Sequence, residues 1–222
     1  MNTKSKVAVI GLGNIGTAVA TNLVKGNRAF IVADRTIAKA STLSQKLGSL
    51  AQPMEIAAAI KEADIIVFSI WFSAIKELLH QYEKELEGKI IVDPSNPIAP
   101  DEKGGFKKII GETESAGEII AELLPKNARL VKALGTLGVA SLATAAFQKP
   151  ANVLFYATDD GSINADIEQL IRDNGFEPVR VGGIDHSIRI EVFGDLHEFG
   201  ALGKTVTLQG AKEKLGEVSI AG

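Results

Sequence analysis

Hydrophobic residues along this chain form short continuous runs, and between the runs they recur every three or four positions. Continuous runs are typical of parallel strands buried on both faces, whereas the spaced positions are typical of helices with one buried face. Seven runs predict strands, at residues 6–10, 28–33, 63–70, 88–92, 129–134, 151–157 and 176–181. The spaced positions predict helices at about residues 15–25, 36–47, 56–61, 73–86, 115–124, 163–174 and 184–196. The polar, glycine-bearing stretch at residues 99–108 predicts an irregular loop. Strands that alternate with helices indicate a doubly wound α/β fold.

A glycine-rich turn follows the first predicted strand. Its six residues read GLGNIG, and the next helix presents Ile15, Val19 and Leu23 on one face. At such a turn the first glycine permits a sharp reversal, the second lets the backbone approach a pyrophosphate, and the third lets helix pack on strand. The alternative is a turn that serves packing alone. We predict a Rossmann-type dinucleotide site that includes Gly11, Gly13, Asn14, Ile15 and Gly16.

The strand and helix pattern divides the chain unequally. We predict a Rossmann-type dinucleotide-binding domain over residues 1–183 and a short helical C-terminal extension over residues 184–222. Beyond Gly203 the pattern weakens. The stretch from residue 204 to residue 222 is either a strand with a short helix or a tail that packs on the second subunit of a homodimer.

Charged residues at the end of the second predicted strand bear on the choice of coenzyme. A carboxylate in this place accepts hydrogen bonds from the ribose 2′-hydroxyl of NAD, whereas a basic neighbour favours the 2′-phosphate of NADP. This chain offers both, because Asp34 is followed by Arg35 and, one helical turn later, by Lys39. We expect NADP to bind more tightly, with NAD as the alternative.

Ligands of open parallel sheets bind at the carboxyl ends of the strands, and several candidate residues follow the predicted strands. The third strand ends at Ser69 and Ile70 before an aromatic pair, the fourth enters a rigid loop with two prolines, and the fifth ends near a glycine and a threonine. The last predicted helix starts near Asp185 and closes the far side of the cleft, with His186 within reach. The candidate substrate contacts are Trp71, Phe72, Gly135, Thr136 and His186. The alternative for Trp71 is a core anchor.

Composition narrows the class of partner. There is no cysteine and there are three histidines, so we expect no disulfide and no metal site. The formal charge of −3 is interleaved, which favours a small-molecule substrate over nucleic acid or a membrane. The first residues are polar and the longest uncharged stretch is shorter than the ~20 residues of a spanning helix, so we expect a cytoplasmic protein.

The motifs together resemble the coenzyme F420-dependent NADP oxidoreductases and their relatives, which include the NADPH-binding domain of the six-transmembrane metalloreductases. The resemblance rests on GLGNIG, ADRTIAKA, DPSNPI, SAGEIIAELLP and VKALGT, and it covers roughly residues 6–196. It implies that Arg35 and Lys39 hold the 2′-phosphate. It also implies that the nicotinamide and its ribose lie near Ile70, Asn96, Pro97 and Ala133.

The resemblance implies hydride transfer between NADP(H) and a flavin-like or deazaflavin (F420) acceptor. Such a transfer needs two aligned rings in a dry cleft and no catalytic acid, so we predict no catalytic residue. Two alternatives remain open. Reduction of a carbonyl or imine would need a proton donor, for which Lys132, Tyr82 and His186 are candidates. A dinucleotide-binding redox sensor would need no turnover.

Overall fold

The computed structural model describes residues 4–216, which form ten strands and eight α-helices. The strands are β1 (Val7–Ile10), β2 (Phe30–Ala33), β3 (Ala51–Pro53), β4 (Ile65–Phe68), β5 (Ile90–Asp93), β6 (Ile98–Pro100), β7 (Phe106–Lys108), β8 (Arg129–Lys132), β9 (Val153–Ala157) and β10 (Glu177–Gly182). The helices are α1 (Asn14–Lys25), α2 (Ile37–Leu47), α3 (Ile56–Glu62), α4 (Phe72–Gln81), α5 (Ala116–Ala121), α6 (Val139–Thr144), α7 (Asn164–Asp173) and α8 (Leu208–Leu215). All seven predicted strands are present.

Eight strands form one sheet in the order β10-β9-β8-β5-β4-β1-β2-β3. Every neighbouring pair is parallel except β8 and β9, which are antiparallel. Consecutive residues of β1 enter opposite cores: Val9 packs with the helix residues Val19 and Leu23, whereas Ile10 packs with Ile75 of α4. The predicted doubly wound fold with a mostly parallel sheet is therefore confirmed.

The strand order reverses at β1: the chain passes from β1 to β2 and β3 on one side, and the crossover from β3 then places β4 on the other side of β1. The gap between the carboxyl ends of β1 and β4 is the topological switch point at which ligands of such sheets bind. The glycine-rich turn begins there, directly after β1.

A hairpin lies where the sequence predicted an irregular loop. β6 and β7 pair antiparallel across a turn that contains Gly104 and Gly105, both with positive φ. The hairpin is tied at its base, where the Ile109 N–H donates to the Pro97 carbonyl at 2.8 Å. The prediction of a loop was wrong because three-residue strands are too short to show an alternating pattern. The Gly-Gly pair ahead of Phe106 was the available signal.

The prediction of a continuous helix over residues 184–196 is also wrong. A 3-10 helix covers Ile184–Ile190, and Glu191 then leaves it in an extended conformation. The buried Glu191 carboxylate accepts hydrogen bonds from the Ala116 and Gly117 N–H groups, both at 2.9 Å, which a continuous helix would not allow. The four-residue spacing of apolar positions reflects the burial of these residues. It does not mean that the helix continues beyond Ile190.

The segment after β10 packs on the sheet. Its side chains Ile190 and Leu196 share a cluster with Val153 and Phe155 of β9. Of the two alternatives for residues 204–222, a short helix is present as α8, preceded by a bridge between Asn152 and Thr207. Residues 217–222 lie outside the described part, and the division at residue 183 and the homodimer stay predictions. No helix within residues 4–216 has the length and apolar character needed to cross a bilayer.

Candidate functional site

The three glycines of the turn occupy three different environments. Gly11 has φ +92°, and a side chain on it would clash with Ser69 and Ile70. A side chain on Gly16 would clash with the carbonyl oxygen of Gly11, so this glycine lets α1 approach the strand. At Gly13 an added Cβ would meet no atom within 4 Å. The first and third glycines are therefore required by packing, whereas the second faces open space.

The open space at Gly13 lies at the N-terminus of α1. Gly13 is the N-cap residue and provides no side-chain cap for the first turn. A helix of this length carries uncompensated N–H groups and a partial positive charge at its N-terminus, which favour an anion such as a pyrophosphate. The predicted residues Asn14 and Ile15 belong to this turn.

Two consecutive N–H groups attach the glycine-rich turn to the end of β2. The Gly11 N–H donates to the Ala33 carbonyl at 2.9 Å, and the Leu12 N–H donates to Asp34 Oδ2, also at 2.9 Å. Lys39 Nζ lies 3.2 Å from the same carboxylate oxygen. The Asp34 side chain is 13% exposed, so it lies mostly beneath the surface that a ribose would approach.

The contacts of Asp34 favour its charged form. Burial raises the pKa of this carboxyl, but hydrogen bonds from the Leu12 and Thr36 N–H groups and from Lys39 outweigh burial, and the net pKa lies below its ordinary value. Arg35 is exposed and forms no ion pair with any residue from 4 to 216. The basic group free to meet a ligand at the end of β2 is therefore Arg35.

A cleft of about 220 Å³ lies between the start of α4 and the β6–β7 hairpin. Its lining is mostly apolar and consists of Trp71, Phe72, Ser73, Ile98, Ala99, Pro100 and Ile109. Trp71 is 60% exposed, so it is not a core anchor. Phe72 is 4% exposed and lies deeper, with Lys76 Nζ 4.6 Å from its ring centroid. The aromatic pair was predicted from the sequence. The opposite wall was not predicted, because the hairpin that forms it was not predicted.

Asn96 lies at the predicted edge, but its side chain already has partners. Its Nδ2 donates to the Gly135 carbonyl at 3.1 Å, and its Oδ1 accepts from the Val192 N–H at 2.6 Å. A side chain on Gly135 would clash with the Pro94 carbonyl. Asn96 therefore joins the strand end to the C-terminal segment, and Gly135 has no room for a side chain. Gly135 does not line the cleft beside Trp71, and its role as a substrate contact stays a prediction.

Two other predicted substrate contacts are not part of the cleft lining. Thr136 is 1% exposed, with a buried hydroxyl that finds no partner among the described residues. The ring of His186 lies against Gly182 at the end of β10, which is four strand positions from β4. At ~4.8 Å per strand that separation is about 19 Å. Neither side chain lines the cleft beside Trp71.

The candidate proton donors are also not at the cleft. Lys132 is 3% exposed, and its Nζ lies 2.7 Å from Asp93 Oδ2 and 3.8 Å from Glu191 Oε1. It also donates to the Ser95 carbonyl. Tyr82 follows the last turn of α4, and a ten-residue helix places it about 15 Å from the end that carries Trp71. Lys132 holds the ends of β5 and β8 to the C-terminal segment.

His197 is a buried polar residue that the sequence analysis missed. Its Nε2 lies 3.0 Å from the Gly135 carbonyl oxygen, and its Nδ1 accepts from the Phe199 N–H at 2.9 Å. These contacts fit a neutral imidazole that donates through Nε2. Burial lowers its pKa to about 4. No local pattern marks this residue, because Gly135 lies far away in the sequence.

The burial of His197 predicts a pH-dependent stability. The unfolded chain takes up the proton near pH 6.5 and the folded chain only near pH 4. Stability is therefore complete above pH 6.5 and is lost as the pH falls to 4, by about 3 kcal/mol. Urea unfolding of the parent and of His197→Gln across this range should show a smaller loss in the variant. His80→Gln, at an exposed helical position, is the control. Equal pH dependence in parent and His197→Gln would contradict the assignment.

Comparison with known proteins agrees with this geometry. Residues 6–97 match the family described as NADP oxidoreductase, coenzyme F420-dependent. A hypothetical protein from Sinorhizobium meliloti, SMa0349, superimposes with a TM-score of 0.79 at 26% identity, covering 93% of this chain and 97% of that one. A candidate F420-dependent NADP reductase from Arthrobacter sp. FB24 superimposes with a TM-score of 0.69 at 22% identity, covering 82% and 87%.

More distant proteins share part of the fold. A reductive aminase from Aspergillus terreus in complex with NADPH and ethyl levulinate has a TM-score of 0.59 at 24% identity, covering 82% of this chain and 56% of that one. A curated relative, glutamyl-tRNA reductase from Pyrobaculum aerophilum, is 35% identical over 107 residues, which are 44% of this chain and 26% of that protein. The chain spans about a quarter of the length of the curated relatives that it matches.

The family match begins just before β1 and ends at Pro97, so it contains the glycine-rich turn, the charged end of β2 and the aromatic start of α4. These are the elements that the structure brings to one sheet edge. The likenesses below 25% identity add the fold alone. Residues 6–97 therefore match the coenzyme F420-dependent NADP oxidoreductases, and the sheet has the Rossmann-type strand order of NAD(P)-dependent oxidoreductases.

Proposed function

We propose that this protein transfers a hydride between NADP(H) and a planar flavin-like or deazaflavin acceptor. The observation that carries the proposal is the exposed indole of Trp71, which faces an apolar hairpin beside the topological switch point. A coenzyme on the glycine-rich turn and an aromatic ring in this cleft would meet at the carboxyl ends of β4 and β5. When bound, NADPH supplies the hydride from C4 of its dihydronicotinamide.

The residues of the turn fit the coenzyme. The open space at Gly13 admits a pyrophosphate, and the uncapped first turn of α1 directs N–H groups towards it. Arg35 supplies a cation for a 2′-phosphate, to which a guanidinium binds well through paired donors. Ile70 packs against Gly11 and extends the apolar surface from the turn towards the cleft.

The cleft favours a ring system over a small polar substrate. Phe72, Ile98 and Pro100 provide apolar surface against which a ring can pack, and this surface keeps bulk water away from the contact between the two rings. Trp71 supplies a flat face on which a planar ring can stack. The protein then contributes alignment, and the acceptor takes the hydride at its ring together with a proton from water.

Reduction of a carbonyl or imine has less support from the geometry. That reaction needs a donor within hydrogen-bond reach of the developing anion or amine. Lys132 is held between two buried carboxylates, and Tyr82 and His186 lie away from the cleft. Hydride transfer between two rings needs no such donor.

An acceptor panel tests the proposal. NADPH oxidation is followed anaerobically with riboflavin, with oxidised F420, and with a small ketone in the presence of an amine. We expect turnover with riboflavin or F420 and none with the ketone and amine. Turnover restricted to the ketone and amine would assign the protein to the carbonyl or imine reductases. Tight NADPH binding without oxidation by any acceptor would indicate a redox sensor.

Replacing Trp71 tests the acceptor wall. Loss of a stacking face is worth about 0.5–1.5 kcal/mol, so Trp71→Ala should lower kcat/KM for riboflavin by about twofold to thirteenfold. The Kd for NADPH and the melting temperature should barely change, because the side chain is mostly exposed. Phe106→Ala removes another exposed aromatic, outside the cleft lining, and is the matched control. Equal kcat/KM values for riboflavin in the two variants would mean that Trp71 does not form part of the acceptor site.

A further inference from the structure

Asp34 stands where dinucleotide-binding folds place the carboxylate that holds the adenine ribose, yet its partners here belong to the protein. One oxygen, Oδ2, accepts the Leu12 N–H at 2.9 Å and lies 3.2 Å from Lys39 Nζ. The other, Oδ1, accepts the Thr36 N–H at 3.2 Å. A carboxylate offers about four acceptor positions, so most of its capacity is already used.

The contact with Leu12 has a consequence for the turn. Leu12 lies between the glycine that reverses the chain and Gly13, which faces the open space. Apart from the backbone bond of Gly11 to Ala33, the hydrogen bond of Leu12 to Asp34 is the described contact that fixes the turn to the end of β2. A backbone fixed in advance in its ligand-binding conformation loses less freedom when the ligand binds.

We infer that Asp34 is a positioning residue that holds the glycine-rich turn in its coenzyme-binding conformation, and that it does not bind the adenine ribose. The choice between NADPH and NADH then rests on Arg35. This inference deepens the proposed function and rests on it for the identity of the coenzyme. The contact between Asp34 and Leu12, which we call the clamp, exists without coenzyme, so it can be tested separately.

Charge supports the same assignment. An unpaired carboxylate at the end of β2 would repel a 2′-phosphate, but Lys39 pairs with Asp34 and offsets its charge. A ribose hydroxyl could bind Asp34 Oδ2 only by displacing Lys39 or the Leu12 N–H group. Arg35, which is exposed and has no ion-pair partner among residues 4–216, is left to meet the phosphate.

A cycle of protein and ligand changes separates the two roles. The Kd values of NADH and of 2′-deoxy-NADH, which lacks the hydroxyl that a ribose-binding carboxylate holds, are measured for the parent and for Asp34→Ala. Loss of a hydrogen bond to a charged group should weaken both ligands equally, by about tenfold or more. Asp34→Asn keeps an acceptor for the Leu12 N–H, so its Kd values should stay within about threefold of the parent. Arg35→Ala should weaken NADPH and leave NADH unchanged.

Two outcomes would overturn the inference. If Asp34→Ala weakens NADH but not 2′-deoxy-NADH, then Asp34 is a ribose ligand. If it weakens neither ligand, the clamp has no role in binding.

Amide hydrogen exchange at Leu12 without coenzyme provides the independent readout. Exchange should be slow in the parent and in Asp34→Asn and faster in Asp34→Ala. Should Asp34→Ala fail to fold, fast exchange at Leu12 in the parent or in Asp34→Asn would still contradict the clamp. A parent that binds neither NADPH nor NADH would overturn the proposed function, while this exchange experiment would still test the contact with Leu12.

Discussion

Gly13→Val should abolish tight coenzyme binding and leave the protein folded. In the coenzyme-free protein a Cβ at this position meets no atom within 4 Å, so the valine has room until a pyrophosphate approaches. Forcing a side chain into a close contact costs about 1–3 kcal/mol, which corresponds to a loss of affinity of about fivefold to 160-fold. Titration with NADPH and a thermal melt of the same sample check the two halves of this result.

The same substitution three residues later is the matched control. A side chain on Gly16 would overlap the carbonyl of Gly11, so Gly16→Val must push α1 away from β1 and should lower the melting temperature strongly. An equal loss of stability in Gly13→Val would make the second glycine a packing residue. Unchanged NADPH affinity in Gly13→Val would mean that the coenzyme does not bind at this turn.

Lys132→Met should cost about 3–5 kcal/mol of unfolding free energy. The substitution removes the cation that lies between Asp93 and Glu191, and all three side chains are almost completely buried. Breaking such a group leaves uncompensated buried charge, which is the most expensive way to lose an ion pair. Urea unfolding monitored by circular dichroism measures the loss.

Two further variants identify the cause. The triple variant Asp93→Asn/Lys132→Met/Glu191→Gln carries no charge at these positions and should recover most of the lost stability. Lys6→Met removes a lysine from an exposed ion pair with Glu62, and it should leave the urea midpoint unchanged. If Lys132→Met is as stable as the parent, the buried cluster does not hold the strand ends to the C-terminal segment.

Elements with a strong local signal were predictable from the sequence. Every strand buried on both faces appeared as a continuous apolar run, and the glycine spacing indicated the turn with its three distinct roles. β3 was not predicted, because only one of its three residues is buried and the last is a proline. The short hairpin was missed for the same reason of length. The cleft was therefore predicted with one wall only.

Residues whose role depends on distant partners could not be assigned. Asn96 was predicted at the correct edge of the sheet, but its contact with Val192 joins positions 96 residues apart, and no spacing rule reports such a pair. His197 meets Gly135 across 62 residues, and its burial follows from the turns after Glu191. Asp34 was assigned from its position in a common motif, whereas its hydrogen bond with Leu12 depends on the geometry of this particular turn.

Hydride transfer within the protein's own complex tests the central claim most directly. Protein loaded with one equivalent of NADPH is mixed anaerobically with riboflavin, and the absorbance bands of reduced nicotinamide and oxidised flavin are followed together. The account predicts that both bands fall at the same rate, that deuterium at the transferred C4 position slows them equally, and that Gly13→Val shows neither change. A nicotinamide band that persists in the parent with riboflavin and also with oxidised F420, while NADPH remains bound, would contradict it.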